Sequence, residues 1–117
     1  MKTTDLQIGD WYANSDGDIC KVVKNLGNIV WGQGDDVSDS TDDPNPIPLT
    51  TEILEKNGWW FNVEDMWLHD GVNFCIEKWN GKFQCYDINQ IKLYSVHQLQ
   101  QTLRLCGLNE LADNFKI

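Results

Sequence analysis

The sequence predicts an α+β domain in which a twisted antiparallel sheet or small barrel is packed by a short central helix and a C-terminal helix. Three observations lead to this class. Short β-rich segments alternate with Gly, Asn and Asp turns, an Asn80-Gly81 pair lies between two alternating apolar segments, and a 3.6-residue apolar period appears near the C-terminus. With 117 residues the chain has the length of one domain, so residues 1–117 are expected to form a single domain.

Charge and hydropathy narrow the functional classes. The chain has 18 acidic and 9 basic residues, and its net charge of -9 argues against direct nucleic-acid binding because it repels phosphate backbones. No apolar run approaches the ~18 residues of a membrane span, and the start of the chain lacks the apolar core of a signal peptide. We therefore expect a cytoplasmic protein with no membrane association.

The four cysteines, Cys20, Cys75, Cys85 and Cys106, form no paired-cysteine motif. In a reducing cytoplasm thiols stay reduced, and unpaired cysteines are among the most buried residue types. HExxH and glycine-rich phosphate-loop motifs are also missing from the sequence. We expect thiols that are free and mostly buried, no metal site and no cofactor.

The first third of the chain has the pattern of strands joined by turns. Segments 6–12, 18–24 and 28–31, with turn residues at 14–17, predict a three-stranded antiparallel meander. Gly9 breaks the first segment, so we expect a short first strand that is entered through a turn or bulge. Segment 34–44 contains five aspartates and almost no apolar residues, so burial cannot order it. We expect an exposed, mobile loop there; a cation site or a decoy for basic groups is the functional alternative.

Residues 46–60, PIPLTTEILEKNGWW, connect this meander to a tryptophan-rich second part. Two prolines keep the chain extended, Thr50 supplies a helix N-cap, and Gly58 ends the helix in a left-handed cap. The predicted helix has about two turns and is too short to be stable alone. We therefore expect Ile53 and Leu54 to pack on the sheet.

The clearest local signal is Asn80-Gly81, the dipeptide favoured in type I′ hairpin turns. It predicts a hairpin between segments 72–79 and 82–87, after two shorter strands at 59–61 and 66–69. The turn pairs Trp79 with Lys82, Lys78 with Phe83, Ile76 with Cys85 and Phe74 with Asp87. Strand alternation then puts four residues on the core face, namely Phe74, Ile76, Phe83 and Cys85.

The C-terminal helix begins at a capping box formed by Ser95 and Gln98. Apolar residues follow at helical spacing, and Gly107 ends the helix. The predicted buried stripe consists of Val96, Leu99, Leu103 and Cys106. Asn109 begins one further turn, from which Leu111 and Phe115 are expected to complete the core.

Few residues are candidates for catalysis. The sequence has no nucleophile elbow, and His69 and His97 are its only histidines. His97 lies in the first turn of a predicted helix, where a local hydrogen bond or a surface position is expected. His69-Asp70 is a strand-end pair with a ligand contact as its functional alternative. We therefore expect a protein that is not an enzyme and has no catalytic residues.

Six tryptophans in 117 residues are the more informative feature. Neighbours such as Trp11-Tyr12 and Trp59-Trp60 point to opposite faces of a strand, so some large rings must lie at or near the surface. These rings either shield a small sheet or form a binding surface beside the lysines of the hairpin. The candidate ligand-binding residues are Trp11, Tyr12, Trp60, Trp67, His69, Lys78, Trp79 and Lys82.

Two binding functions agree with these residues. In the first, the rings hold a small nucleotide-like ligand, with Lys78, Lys82, Lys92 and Arg104 as candidate phosphate partners, in a protein that forms a homo-oligomer. In the second, the acidic surface docks on a basic host protein as an inhibitor or as a mimic of nucleic acid. A structural module with no ligand is a third interpretation.

Three segments carry a resemblance that spans nearly the whole chain: TDLQIGDW at 4–11, PIPLTTEILEKNGW at 46–59 and VHQLQ at 96–100. They are similar to a family of small uncharacterised proteins of gut Bacteroidetes and their bacteriophages, with the pattern TDLRIGNW, PIPLTEEILEKNGF and YVHQLQNLYFALTGEEL. The chain departs from this pattern at Asp10, at Trp59, within residues 101–109, and at Ser95, which is inserted before the VHQLQ segment.

The resemblance transfers no activity to any residue. It implies a setting, which is mobile or phage DNA in an anaerobic bacterium, where small accessory proteins inhibit host enzymes or sequester immune signals. On this resemblance we expect a phage-type accessory protein with a counter-defence role in a bacterial or phage-infected cell.

Overall fold

The structure, a computed structural model, describes residues 1–34, 37–62, 64, 66–86 and 91–117. Its internal contacts divide the chain into two units. Unit 1 consists of Met1–Ile47 and Ser95–Asn114, and unit 2 consists of Pro48–Tyr94 and Phe115–Ile117. The expectation of one domain over residues 1–117 stays a prediction.

Strands and short helices make up both units. A 3₁₀ helix (Thr3–Asp5) precedes β1 (Trp11–Ala13), β2 (Ile19–Asn25), β3 (Val30–Gln33) and β4 (Ser38–Thr41). Helix α1 (Thr51–Lys56) precedes β5 (Trp59–Phe61), β6 (Met66–His69), β7 (Ile76–Trp79) and β8 (Lys82–Cys85). Helices α2 (Val96–Leu105) and α3 (Asn109–Asp113) follow. The predicted α+β class is confirmed.

The strands form two antiparallel sheets of four, with orders β1-β2-β3-β4 in unit 1 and β5-β6-β7-β8 in unit 2. The prediction was a twisted sheet or a small barrel. Within the described part of the chain neither sheet closes into a barrel, and both are open sheets. The central helix α1 contacts β5, and the C-terminal helix α2 contacts β1. Each predicted packing helix therefore covers a different sheet.

The predicted meander is present and has a fourth strand. Strand β4 pairs with β3 inside segment 34–44, where we expected a mobile loop, and that expectation was wrong for Ser38–Thr41. Ladder hydrogen bonds order an edge strand without apolar side chains, and Thr41 is buried. The first strand is short and is entered through a turn at Gly9 (φ +92°), as predicted, and β1 begins at Trp11.

The core of unit 1 depends on one close approach between strands. Tyr12 and Cys20 are fully buried among Leu6, Val22 and Val30. A Cβ atom on Gly32 would lie 2.1 Å from the Tyr12 hydroxyl, so only glycine lets this ring lie across β3. Burial raises the pKa of Tyr12 to about 12 and also raises the pKa of the Cys20 thiol.

The central helix begins and ends as predicted. The Thr50 hydroxyl oxygen accepts a hydrogen bond from Ile53 N at 3.2 Å, and Gly58 has φ +85° after the last turn. Leu54 is fully buried, whereas Ile53 is half-buried. This arrangement fixes the entry into β5.

The C-terminal helix confirms the capping box but not the whole buried stripe. Ser95 N donates to the Gln98 side chain at 3.1 Å, and Gly107 has φ +77°. The prediction for Cys106 was wrong: this residue is the exposed C-cap, where the chain has already left the helix. In α3 the fully buried residue is Ala112, with Leu111 only half-buried, while Phe115 is buried as predicted.

The cysteines fall into three environments. None of the four, all of which are described, forms a disulfide. Cys20 and Cys85 are buried, Cys75 is half-buried and Cys106 is exposed. The expectation that the thiols are mostly buried therefore holds for Cys20 and Cys85 and fails for Cys106.

The Asn80-Gly81 hairpin has the predicted register. Strands β7 and β8 pair Trp79 with Lys82, Lys78 with Phe83, and Ile76 with Cys85. The predicted pair of Phe74 with Asp87 lies outside the described residues. Asn80 and Gly81 have φ +52° and +76°, as a type I′ turn requires, and all four predicted core-face residues are buried.

Replacing Gly81 with Val should destabilise unit 2 by ~1–2 kcal/mol, because a β-branched residue resists a positive φ. An added Cβ would meet no atom within 4 Å, so the cost is conformational rather than steric. Thermal unfolding measures it, with a melting temperature lower by several degrees. The matched control is Gly81→Asn, since Asn tolerates this conformation; equal melting temperatures for Val and Asn variants would contradict the turn assignment.

Candidate functional site

Two of the predicted ligand-binding residues belong to unit 1. Tyr12 is a core residue of that unit, with no exposed surface. Trp11 is half-buried on β1, where Lys21 Nζ lies 5.6 Å from its ring centroid and its backbone N donates to Gln100 Oε1 at 2.9 Å. Neither ring belongs to a cleft of unit 1 described below.

The tryptophans of unit 2 divide between two faces of its sheet, as strand alternation predicts. Trp59 and Trp67 are buried, whereas Trp60 and Trp79 are exposed by 46% and 61%. The Trp60 indole N–H donates to Asp70 Oδ1 at 3.1 Å, which holds this exposed ring at the strand end. Trp60 and Trp79 are therefore the predicted tryptophans that a ligand or partner can reach in unit 2.

His69 has a packing role in unit 2. Its Nε2 lies 3.1 Å from the Asn57 carbonyl oxygen, and its Nδ1 lies 3.1 Å from the Asp70 carbonyl oxygen. Its ring meets Trp59 edge-on, with centroids 5.3 Å apart. These contacts join β6 to the end of α1, and each ring nitrogen lies within hydrogen-bonding distance of a backbone carbonyl oxygen.

A cleft of about 290 Å³ opens on unit 2 beside the hairpin turn. Its walls come from three parts of the unit: the residue before the helix cap, the turn with the start of β8, and the segment that follows β8. The lining residues are Leu49, Gly81, Lys82, Phe83, Leu93 and Tyr94. The cleft is therefore mainly apolar, with one ammonium group at its rim.

Backbone hydrogen bonds hold these walls together. Leu93 N donates to Phe83 O at 3.0 Å, and Leu49 N donates to Tyr94 O at 3.1 Å. An isolated bridge between Gln84 and Lys92 continues the same pairing. The segment 91–94 thus lies along the outer edge of β8, and the cleft is built on paired backbone.

Two lysines from the predicted site reach the rings of the cleft. Lys82 Nζ lies 5.3 Å from the Tyr94 ring centroid, and Lys78 Nζ lies 5.8 Å from the Phe83 ring centroid. Tyr94 is 50% exposed, whereas Phe83 is buried. Cations at such distances from ring faces are attracted by the ring quadrupole, so the Lys82 ammonium is held at Tyr94 and the Lys78 ammonium at Phe83.

Of the eight predicted residues, Lys82 lines the cleft, and Lys78 lies over the ring of the lining residue Phe83. Sequence reasoning missed Leu49, Leu93 and Tyr94. These residues meet the hairpin only through long-range pairing, for which the sequence carries no local signal. The ligand-binding role of the eight predicted residues stays a prediction.

His97 is buried, not a surface residue, with 7% exposure. Its Nδ1 lies 3.0 Å from the Ser95 hydroxyl oxygen, which confirms the expected local hydrogen bond. Burial lowers its pKa below the usual 6.5; the carboxylates of Asp10 and Asp5 oppose this shift, and the N-terminal ammonium adds to it. His97 is therefore held as a neutral imidazole.

Comparisons with protein-family models, with curated proteins and with solved structures found no match for this chain. The described residues hold no group of three or more His, Cys, Asp or Glu side chains arranged to bind a metal ion. No helix within the described ranges is long and apolar enough to cross a membrane. The resemblance to the Bacteroidetes and phage family stays a prediction.

Acid should destabilise the protein through His97. The unfolded chain binds the proton more readily than the folded one, so this contribution is complete above about pH 6.5 and is lost as the pH falls towards the lower folded pKa. His97→Gln removes the titrating group and should flatten this part of the profile. Urea unfolding at about pH 7.5 and about pH 5.5 measures the difference.

The comparison is with the unsubstituted protein at the same two pH values. Equal loss of stability in the His97→Gln variant and the unsubstituted protein would contradict a buried, neutral His97.

Proposed function

We propose that this chain is a non-enzymatic binding protein that holds a small nucleotide-like ligand in the cleft of unit 2. The observation that carries the proposal is the pairing of an apolar cleft with the Lys82 ammonium beside the Tyr94 ring at its rim. An apolar pocket with one well-placed charge suits a planar ring with an anionic group at one end.

The ring of such a ligand would lie between apolar walls. Leu49, Phe83 and Leu93 supply these walls, and the half-exposed Tyr94 supplies a stacking surface. Stacking of a base on an aromatic side chain contributes ~1–3 kcal/mol and tolerates any base. This part of the site selects for an aromatic ring rather than for one base.

The anionic group would meet Lys82, with Lys78 as a second ammonium nearby. Charge is unevenly divided in the sequence: unit 1 has eleven acidic and four basic residues, whereas unit 2 has seven and five. An anion is therefore repelled less by unit 2, with net charge -2, than by unit 1, with net charge -7.

Size favours a single nucleotide over a polymer. The cleft of about 290 Å³ is at the small end of the ~300–1,000 Å³ of ligand pockets. Among its six lining residues there is no histidine, carboxylate, cysteine or serine, so a nucleophile paired with a base is missing from the cleft itself. Both points support sequestration rather than turnover.

The family resemblance suggests the setting of this function. A cytoplasmic phage or prophage accessory protein that binds a nucleotide-like signal would remove it from a host defence pathway. This counter-defence role rests on the resemblance, and the cleft supplies its chemistry.

Calorimetric titration with nucleoside monophosphates and cyclic nucleotides tests the proposal. Lys82→Gln should weaken binding about tenfold, because it removes a charge-assisted contact. Tyr94→Leu should weaken it about tenfold or more through loss of stacking, whereas Tyr94→Phe keeps the ring and most of the affinity.

Lys24→Gln is the matched control, since Lys24 is an exposed lysine of unit 1. If none of the nucleotides binds at millimolar concentration, the proposed nucleotide site is wrong. If Lys24→Gln and Lys82→Gln weaken nucleotide binding equally, the effect comes from overall charge and not from a specific contact with Lys82.

Acidic residues of unit 1 favour a second candidate, an inhibitor or nucleic-acid mimic that binds a basic host protein. The β1–β2 turn lies beside the end of β4, with Ser15 Oγ 3.4 Å from Thr41 Oγ1. This packing gathers exposed carboxylates at one end of the sheet. They are Asp16, Asp18, Asp42 and Asp43.

Changing these four aspartates to asparagine should abolish salt-sensitive retention of a basic host protein in affinity capture. The control changes Glu52 and Glu55 of unit 2 to glutamine and should leave retention unchanged. Retention of the same proteins by all three forms would exclude the acidic end of unit 1 as the binding surface.

A further inference from the structure

A second cleft lies wholly within unit 1 and has the opposite character. Its volume is about 510 Å³, and it opens between the 3₁₀ helix, the residues after it and the first turns of α2. Its lining residues are Thr4, Asp5, Gln7, His97, Gln98 and Gln101. All six side chains are polar, and none of them is Lys or Arg.

The hydrogen bonds around this cleft leave acceptors available. Asp5 Oδ2 accepts from Lys2 N at 2.9 Å, and among the described residues no hydrogen bond engages Asp5 Oδ1. Gln101 Nε2 donates to Asp5 O and to Asp10 Oδ2, each at 2.7 Å. Both hydrogens of this amide are therefore used within the protein, and its Oε1 atom can accept a hydrogen bond from a ligand. Asp5 Oδ1 and Gln101 Oε1 are therefore two oxygen acceptors of the lining that are open to a ligand, and the first is charged.

Asp5 is also the carboxylate of this region that lacks an ion pair within the described chain. Its neighbour Asp10 is fully buried and paired with Arg104, whose Nη1 lies 2.6 Å from Asp10 Oδ1. His97, with Nδ1 bonded to Ser95, contributes a neutral ring, and its Nε2 is the nitrogen left for a ligand. The surrounding unit has a net charge of -7, so the cleft favours a positive ligand.

We propose that this cleft binds a guanidinium or primary ammonium group, with Asp5 Oδ1 and Gln101 Oε1 as its acceptors. Both groups carry several N–H donors and no acceptor, which matches the open atoms. Charge-assisted hydrogen bonds of this kind are stronger than neutral ones. The cationic group can belong to a free amine or to an Arg or Lys side chain of a basic protein. In the second case, the cleft would be a contact point for the basic host protein of the second candidate function.

The test uses two probes, agmatine and a short capped Gly-Arg-Gly peptide, with amide NMR shifts of the full chain as the readout. Either probe should shift the amides of residues 3–7 and 97–101. Asp5→Asn should weaken binding about tenfold, while it keeps the acceptor for Lys2 N.

Glu110→Gln is the matched control, because Glu110 is an exposed acidic residue of the same unit outside the cleft. Tighter binding of the peptide indicates a protein source for the cation, and binding of agmatine alone indicates a free amine. Equal weakening by Glu110→Gln and Asp5→Asn would overturn the site, because it would show only a general effect of negative charge.

Two further results would also overturn the proposed cation site. In the first, neither probe shifts these amides at ~10 mM; in the second, a peptide with citrulline in place of arginine binds with equal affinity. A failure of this cation site can be distinguished from a failure of the nucleotide site. The nucleotide site is tested by amides of unit 2 and by Lys82→Gln, whereas the cation site is tested by amides of unit 1 and by Asp5→Asn.

Discussion

The buried carboxylate of Asp10 is the constraint on which unit 1 depends. Its oxygens accept from Arg104 Nη1 at 2.6 Å, from Gln101 Nε2 at 2.7 Å and from Gln7 N at 2.8 Å. Removing one partner of a buried ion pair costs ~3–5 kcal/mol, because it leaves the other charge in a low dielectric. The adjacent Gln100 is also fully buried; it accepts from Trp11 N and donates to two backbone carbonyls. Helix α2 is thereby fixed on β1 by polar contacts rather than by apolar packing alone.

The two units place opposite chemistry in their clefts. Unit 2 combines apolar walls with lysines, and unit 1 combines amides with a carboxylate in a strongly acidic surround. A ligand that carries both an anionic and a cationic group matches neither of these two clefts alone. The binding functions proposed for this chain are therefore separable by substitution, and each can fail without the other.

Local chemistry made most of the fold predictable. The Asn80-Gly81 turn, the Thr50 cap and the Ser95-Gln98 capping box each act within a few residues, so the sequence contains all that determines them. The strand β4 and the segment 91–94 were missed because backbone ladders order them, and a ladder depends on a distant partner rather than on side-chain hydrophobicity. The candidate sites were less predictable for the same reason. Lys82 was identified from its place beside the turn, but Tyr94 reaches it from another part of the chain, and the burial of His97 follows from long-range packing.

The aspartates around β4 also bear on how the protein behaves at high concentration. As the last strand of its sheet, β4 presents one edge of backbone donors and acceptors that is not paired within the sheet. Such an edge can template the addition of a strand from another molecule, the first step of β-aggregation. Asp39 lies on β4 itself, and Asp42 and Asp43 follow it directly, so two copies that approach edge to edge meet repelling carboxylates. The segment that has too few apolar residues to be ordered by burial is, for the same reason, a poor partner for another copy of itself.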